Sequence, residues 1–273
     1  MDLFKKILKT LYFKYLYESD EIQIICYNDY IGKHILFDNF YEKEDLILIK
    51  NSFSNKIKNS SFIDIGSNVG NHTIFFKNNF KNIYSFEPQR TTYKILKLNT
   101  EPFNHIKTFN YGIDTEEREI TFYIPNSNNG MGRSSKIEGE NVRKEKVFLR
   151  PIEDFLIKDV GFIKIDVEGN EYPVLKSLKK TLTKDKPIIG FELNTDNPKK
   201  NKLFEFLRKN NYKTFLVNSK IFNNRIKNYL NFLGWKNKLV KVDLETLKNF
   251  KSHISMVISI NDNSKHYLDY DNE

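Results

Sequence analysis

The sequence predicts an α/β fold in which a mostly parallel β-sheet is covered by helices on both faces. From residue 62 onward, short apolar runs of strand length alternate with segments of helical period. These runs are apolar at nearly every position, which is typical of strands buried on both faces of a sheet. We found neither an internal repeat nor a Gly/Pro-rich linker that would divide the chain into two such domains.

The apolar runs supply the predicted strands in order along the chain. They cover residues 62–65, 82–86, 106–110, 161–165, 187–193, 212–217 and 254–260. Segments of helical period stand between several of them, at residues 72–80, 87–100, 172–182 and 198–210. Because a helix separates successive strands, we expect those strands to be parallel and joined by crossover connections.

The region before the sheet, residues 1–50, is expected to pack on the core as a helix and a small hairpin. Apolar residues recur among lysines at near-helical spacing over residues 1–20. This predicts an amphipathic basic helix that packs on the domain or makes weak contact with a membrane surface. The β-rich run EIQIICY and the apolar run KHILF flank turn-forming residues, which predicts a hairpin over residues 22–37. A helical period follows over residues 43–51.

One segment, residues 116–150, interrupts the alternation. Two strand-like runs, EREITFYIP and VFLR, flank a long loop rich in Gly, Ser and Asn, which predicts an inserted β-hairpin. A loop of that length in a compact domain is usually functional or disordered. Its polar residues 128–135 could cover a sugar acceptor, or could form a surface loop without a role. We expect the main domain to span residues 51–262 and to be followed by a loose polar tail, residues 263–273.

The composition excludes several classes of protein. One cysteine in 273 residues rules out a disulfide framework, a four-thiolate zinc site and an iron–sulfur cluster held by this chain alone. No stretch approaches the roughly 18 apolar residues of a membrane span, and lysines interrupt the first apolar runs. We therefore expect a soluble, cytoplasmic protein. The net charge of +9 would suit nucleic acid, but the lysines are dispersed, and the absence of alanine is typical of AT-rich coding.

The strongest chemical signal is the turn after the first predicted strand, FIDIGSNVGNHT. An acid, Asp64, closes the strand, and Gly66 and Gly70 flank a sharp turn into a helix, where glycine lets the backbone approach a ligand. Glu87 ends the next strand about 20 residues after the first glycine. From there a carboxylate can accept hydrogen bonds from both hydroxyls of a ribose. The pattern therefore predicts a site for an adenosine-containing cofactor.

The form of the turn distinguishes between such cofactors. It reads G-x-N-x-G, and it lacks both the G-x-G-x-x-G of dinucleotide enzymes and the Lys-Ser/Thr of a P-loop. Asp64 would repel a pyrophosphate, whereas it suits a cationic ligand, and S-adenosylmethionine carries a sulfonium and an α-amino group. The charge pattern thus favours S-adenosylmethionine, with an NAD-dependent oxidoreductase as a less favoured alternative.

A second acidic motif, DVEGNE at residues 166–171, follows another predicted strand. Carboxylates clustered beside the cofactor can raise one another's pKa, which suits a general base. The candidate bases for a hydroxyl proton are Asp166, Glu168 and His72, which follows the cofactor turn by two residues. Glu171 could instead favour the start of the next helix. Because no second cluster of ligands is evident, no metal site is predicted.

Together these segments resemble the FkbM-type methyltransferases. The resemblance rests on FIDIGSNVGNHTIFF, IYSFEPQRTTYKILKLN, FIKIDVEGNEYPVLKSL and KPIIGFEL, in this order within residues 45–215, and DVEGNE is its most specific part. It implies the class I, Rossmann-like methyltransferase fold, with a doubly wound, mostly parallel sheet and an antiparallel last strand, placed at residues 254–260. The resemblance also implies S-adenosylmethionine as the methyl donor. No pattern could be matched after residue 217.

The resemblance also assigns site residues position by position. Those that match the cofactor loop, the ribose ligand and the adenine edge are Asp64, Gly66, Ser67, Asn68, Gly70, Glu87, Asn110 and Gly112. Glu87 corresponds to the ribose ligand, and Asn110 and Gly112 lie near the adenine. Ser67 stands where the family usually has alanine.

By this resemblance the protein is expected to methylate a hydroxyl group of a sugar or glycan, such as a surface polysaccharide or a related glycoconjugate. The alternative is a methyltransferase that acts on RNA or DNA, or on another small molecule. However, amino-directed base methylation typically uses an Asn/Asp-Pro-Pro-aromatic element where this chain has DVEG, and cytosine C-methylation needs a Pro-Cys pair, whereas Cys26 follows Ile25. Acids at the acceptor mouth would also oppose a phosphate backbone. A binding module that kept only the fold is a third possibility.

Overall fold

The computed structural model describes residues 24–125, 132–134, 141–193, 197–217, 239–242 and 254–264. The strands are β1 Ser61–Ile65, β2 Asn82–Phe86, β3 Ile106–Phe109, β4 Gly112–Ile113, β5 Arg118–Pro125, β6 Val142–Arg150, β7 Val160–Ile165, β8 Ile188–Leu193, β9 Tyr212–Val217, β10 Leu239–Val242 and β11 Ile254–Asn261. The helices are α1 Tyr30–Asp38, α2 Lys43–Ile57, α3 Asn71–Phe75, α4 Arg90–Thr100, α5 Glu171–Ser177, α6 Lys179–Lys184 and α7 Lys200–Lys209, and Ile152–Phe155 form a 3₁₀ turn.

An eight-stranded sheet in the order β10-β9-β11-β8-β7-β1-β2-β3 forms the centre of the fold. β1 pairs in parallel with both β2 and β7, and β7 pairs in parallel with β8. The last strand, β11, inserts antiparallel between β8 and β9. The expected class I methyltransferase architecture, with a mostly parallel sheet and an antiparallel last strand, is therefore confirmed. β10, antiparallel at the edge, was not predicted.

The two faces of the sheet bury separate hydrophobic clusters, because neighbouring residues of a strand point to opposite faces. In β1, Phe62 packs in one cluster, and Ile63 and Ile65 pack in the other. β7 repeats the division, since Phe162 lies in the cluster of Phe62 and Ile163 in that of Ile65. Every residue of β1 and β7 is buried, which explains their continuous apolar runs.

The hairpin expected over residues 22–37 is wrong, because its second half is helical. α1 includes the KHILF run, and the side chain of Asp29 caps the helix by accepting a hydrogen bond from the backbone N–H of Gly32 at 2.8 Å. Ile35 of this helix is buried. The cap and the burial of Ile35 thus outweigh the β propensity of these residues. The helix expected over residues 1–20 lies outside the described residues.

Helix boundaries also differ from those expected. α2 continues to Ile57, past the expected domain boundary at residue 50, because Leu46, Ile49 and Phe53 all pack in the core. α3 is shorter than the expected helix over 72–80. α4 begins at Arg90 instead of residue 87, since Pro88 disfavours helical backbone at the residue before it.

The inserted hairpin is confirmed, and it is part of a second sheet. β5 and β6 pair antiparallel along their length, and β4 adds in parallel to β6, giving a three-stranded sheet in the order β4-β6-β5. Of the loop between them the structure describes residues 132–134, where Arg133 forms two backbone hydrogen bonds with Tyr123, at 2.8 and 3.1 Å. The rest of the predicted loop before Asn141, and the tail after Ser264, lie outside the described residues.

We expect Phe162→Ala to lower the free energy of unfolding by about 3–5 kcal/mol, because it empties a fully packed position. Phe162 is buried, and its ring stacks on Phe62 with centroids 5.3 Å apart. The matched control is Phe148→Ala on the exposed side of β6, for which we expect a change within about 0.5 kcal/mol. Urea denaturation of both variants measures the difference, and equal losses would contradict this account of the core.

Candidate cofactor and active site

A cavity of about 480 Å³ opens at the carboxyl ends of β1, β2 and β7. This volume is within the range of small-molecule sites. Residues that follow the three strands form one side of it: Gly66, Asn68, Glu87, Asp166 and Glu168. The three-stranded sheet forms the opposite wall, with Ile113, Ile120, Phe122 and Leu149 among its lining residues. The inserted sheet thus closes a crevice that the central sheet leaves open.

The turn after β1 is fixed by its neighbours in the sheet. The backbone N–H groups of Gly66 and Ser67 both donate to the carbonyl of Phe86 at 3.0 Å. Gly66 has a φ of 76°, and a Cβ there would lie 1.8 Å from the carbonyl oxygen of Asp166. The close approach of this backbone therefore requires glycine at 66, independently of any ligand. Ser67 donates its hydroxyl to the carbonyl of Asp64 at 2.7 Å, so it braces the turn from within.

Glycine is required at the end of the same turn for a different reason. Gly70 adopts a φ of 97° immediately before α3, a conformation that side chains rarely tolerate. A Cβ there would also lie 2.9 Å from Cδ1 of Leu96 in α4. Gly70 therefore allows α3 to start close to α4, and it does not line the cavity.

Glu87 is held at the cavity wall by two backbone donors. Its Oε2 accepts from the N–H of Asn68 at 3.0 Å, and its Oε1 accepts from the N–H of Gln89 at 2.8 Å. Burial raises the pKa of Glu87 to about 7, although both hydrogen bonds favour the ionised form. Asn110 supports this strand end by donating to the carbonyls of Glu87 and Pro88, both at 2.9 Å. It therefore acts behind the cavity wall, whereas Gly112 lines the cavity.

A buried lysine, Lys164 of β7, connects the acidic residues of the two central strands. Its Nζ donates to the carbonyl of Gly66 at 2.9 Å and lies 3.2 Å from Oδ2 of Asp166 and 3.6 Å from Oδ1 of Asp64. Burial would lower the pKa of Lys164, but the carboxylates of Asp166 and Asp64 more than offset it, so the pKa is raised. A lysine within the apolar run FIKI was the available sequence signal, and the patterns above did not single it out.

Asp64 does not take the position expected for it, which was in contact with a cationic cofactor. It is fully buried, lies opposite Lys164 in the strand register, and accepts a hydrogen bond from the Thr73 hydroxyl at 2.7 Å through Oδ2. The physical reason is that Lys164 already supplies the positive charge. Asp64 therefore stabilises the floor of the site, whereas Asp166, the other carboxylate beside Lys164, lines the cavity.

Two of the three candidate bases line the cavity. Burial opposes ionisation of Asp166, but the Lys164 ammonium and a hydrogen bond with Glu192 lower its pKa. Burial and the charge of Asp166 raise the pKa of Glu168. The third candidate, His72, is buried outside the cavity lining, with Nε2 3.4 Å from Oε2 of Glu42. The structure therefore places Asp166 and Glu168 at the cavity and His72 outside its lining.

Glu171 holds the turn between β7 and α5. Its Oε1 accepts from the N–H of Gly169 at 2.8 Å, and its Oε2 accepts from Nδ2 of Asn197 at 3.0 Å. Gly169 has a φ of 96°. Glu171 therefore fixes the loop that carries Glu168, in keeping with the alternative that it favours the start of the helix.

The described residues contain no group of three or more His, Cys, Asp or Glu side chains that could hold a metal ion. Over the same part of the chain, every helix is too short or too polar to cross a bilayer.

A large part of the chain matches a known protein family. Residues 64–214, more than half of the chain, match the model of the methyltransferase FkbM domain. A hexuronic acid methyltransferase, AglP of Haloferax volcanii, is 29% identical over 121 residues, covering 44% of this chain and 50% of AglP. The chain therefore matches about half the length of this curated relative.

Two solved structures resemble the chain more distantly. The methyltransferase FkbM from Methylobacillus flagellatus KT is 20% identical, with a TM-score of 0.36 over 50% of this chain and 33% of its own. SMU.1697c from Streptococcus mutans, solved in complex with SAH, is 10% identical, with a TM-score of 0.45 over 80% of this chain and 97% of its own.

The raised pKa of Glu87 predicts a pH-dependent stability. Its folded-state pKa of about 7 exceeds the ordinary value of 4.5, so its stabilising contribution is present below about pH 4.5 and is lost as the pH rises through 7. In the variant Glu87→Gln the side-chain amide does not titrate in this pH range. We therefore expect the stability of the variant relative to wild type to increase by about 2–3 kcal/mol between about pH 5 and pH 8.

Chemical denaturation of both proteins across this pH range measures the effect. Glu205→Gln, on the exposed face of α7, serves as the control and should show no such trend. A pH-independent difference between Glu87→Gln and wild type would contradict the assignment of a buried, proton-binding Glu87.

Proposed function

Because the chain belongs to the FkbM methyltransferase family, we propose that it is an S-adenosylmethionine-dependent O-methyltransferase acting on a hydroxyl group of a sugar or glycan. The strongest support is the placement of Glu87 at the cavity, with each carboxylate oxygen oriented by one backbone N–H. A carboxylate offers about four acceptor positions. Two remain for the hydroxyl groups of a ribose.

The residues around the cavity suit this methyl donor. Pro88, Ile113 and Leu149 offer an apolar surface for an aromatic base next to Glu87. At the other end, Asp166 and Glu168 give the cavity a negative charge that favours the sulfonium of the methyl donor. S-adenosylmethionine, when bound, supplies an activated methyl group. Among the described lining residues the cation is Arg118, and its guanidinium is already paired with the carboxylate of Asp114, which disfavours the binding of a pyrophosphate.

Asp166 is the proposed base for the acceptor hydroxyl. Lys164 keeps it ionised, and it lines the cavity at the carboxyl end of β7. A carboxylate with a lowered pKa is a weak base, so its main contribution is to orient the acceptor hydroxyl. It receives the proton of that hydroxyl only as the bond between the acceptor oxygen and the methyl carbon forms. Glu168, whose pKa is raised, is the second candidate for the same role.

The acceptor class is supported by the rim of the cavity. Thr121, Ser134 and Asn170 line it, and Nδ2 of Asn170 donates to the Ser134 hydroxyl at 2.8 Å. Such hydroxyl and amide groups can pair with the hydroxyls of a sugar. A sugar acceptor also agrees with the similarity to AglP, a hexuronic acid methyltransferase. The carboxylates nearby oppose a nucleic-acid backbone.

At pH 8, above the pKa of about 7, Glu87 is mostly ionised, and Glu87→Ala should weaken the binding of S-adenosylhomocysteine by at least about tenfold, because hydrogen bonds to a charged group are lost. Isothermal titration calorimetry measures this, with Glu205→Ala as the control that keeps wild-type affinity and NAD as a ligand that should not bind. Equal affinity of Glu87→Ala and wild type would remove Glu87 from the site, and tight binding of NAD would overturn the cofactor assignment.

Asp166→Asn should reduce turnover by about 100-fold or more while keeping the affinity for S-adenosylhomocysteine within about threefold. The measurement uses a labelled methyl group and a panel of neutral glycans, uronic-acid glycans and RNA, so that it also identifies the acceptor. Transfer to RNA alone would contradict the proposed acceptor. Unchanged turnover of the variant on a methylated glycan would remove Asp166 as the base.

A further inference from the structure

Glu192 is an acidic residue near the end of β8 that no motif above singles out. The parallel register pairs Lys164 with Gly190 and Ile165 with Phe191, so the next step along both strands places Asp166 beside Glu192. The two carboxyl groups form a side-chain hydrogen bond. Two carboxyl groups in such contact cannot both be ionised at neutral pH, because one proton must lie between them.

The surrounding charges decide which of the two keeps the proton. Nζ of Lys164 lies 3.2 Å from Asp166, which stabilises the negative charge there. Burial and the charge of Asp166 raise the pKa of Glu192. Among the described residues, the other titratable groups that interact with this pair are His72 from α3, Glu87 after β2, Glu168 from the loop after β7, Glu171 at the start of α5 and Tyr41 from the segment before α2. Glu168 and Glu171 favour the protonated form of Glu192.

We propose that Glu192 is a positioning residue that keeps its proton and donates it in a hydrogen bond to Asp166, which fixes the orientation of Asp166 towards the acceptor hydroxyl. This inference rests on the proposed function and extends it to a residue of β8. Asp166 takes the hydroxyl proton while the acceptor oxygen forms its bond to the methyl carbon and the sulfur–methyl bond breaks, its electron pair remaining on sulfur. The proton then leaves to solvent.

The pair of variants Glu192→Gln and Glu192→Leu tests the direction of this hydrogen bond. The glutamine amide can donate to Asp166 as a protonated carboxyl does, whereas leucine has a similar volume and no donor. We expect Glu192→Gln to keep turnover within about threefold of wild type and Glu192→Leu to lose about tenfold or more. Equal losses in both variants would show that an ionised Glu192 is needed, and equal activity of both would show that it has no role. Either result overturns the proposal.

The pH profile separates positioning from a merely structural role. Removal of the donor should raise the pKa of Asp166, so the acidic limb of the turnover profile should move up by roughly 1–2 pH units in Glu192→Leu and stay in place in Glu192→Gln. Glu205→Gln is the control variant with the wild-type profile. An unchanged limb in Glu192→Leu, with lower stability alone, would contradict the proposal.

A direct measurement of the proton does not depend on the acceptor. In protein labelled with ¹³C at glutamate carboxyl carbons, the signal that disappears in Glu192→Gln belongs to Glu192. We expect this signal to keep the chemical shift of a protonated carboxyl at pH 7, and a shift typical of a carboxylate would overturn the inference. If wild-type protein methylated no acceptor, the proposed function would fail while this result stood, so the two failures can be told apart.

Discussion

The buried ammonium group of Lys164 is the interaction on which the site depends. It holds the carbonyl of Gly66 and lies close to the carboxylates of Asp64 and Asp166, which belong to two different strands. A charge buried in this way is tolerated only when opposite charges and hydrogen bonds compensate it. The same contacts fix the turn after β1 and keep Asp166, which lines the cavity, ionised. The shape of the cofactor turn and the charge of the proposed base therefore both depend on Lys164.

The strand order determines which residues this network can bring together. β1 lies between β2 and β7, and the chain continues outward in opposite directions on the two sides. In such sheets ligands bind at the carboxyl ends of the strands next to this point. Glu87 after β2, Gly66 after β1 and Asp166 after β7 consequently meet at one cavity, although they are far apart in sequence. The inserted sheet then provides the second wall of the cavity.

Much of this arrangement is predictable from the sequence, and the exceptions have physical causes. The central strands are nearly continuous apolar runs, and the glycine turn and Glu87 follow them directly. The sequence therefore predicts both the strands and the position of the cofactor site. The sequence does not show whether an acid at a strand end faces a ligand or a neighbouring strand, because Lys164 and Asp64 come together only when β1 and β7 pair. The proposed contact between Glu192 and Asp166 is equally hidden in the sequence, because it depends on the pairing of β7 with β8. α1 shows where local sequence patterns mislead. Its β-rich residues form a helix because Asp29 caps the first turn and Ile35 is buried.

A crystal structure with S-adenosylhomocysteine bound would test the central claim most directly. The account predicts electron density for the nucleoside in the cavity, with its ribose hydroxyls within hydrogen-bond distance of Glu87 and its sulfur on the side of Asp166. Density for the nucleoside elsewhere, or a ribose that makes no contact with Glu87, would contradict the view that these strand ends form the methyl-donor site.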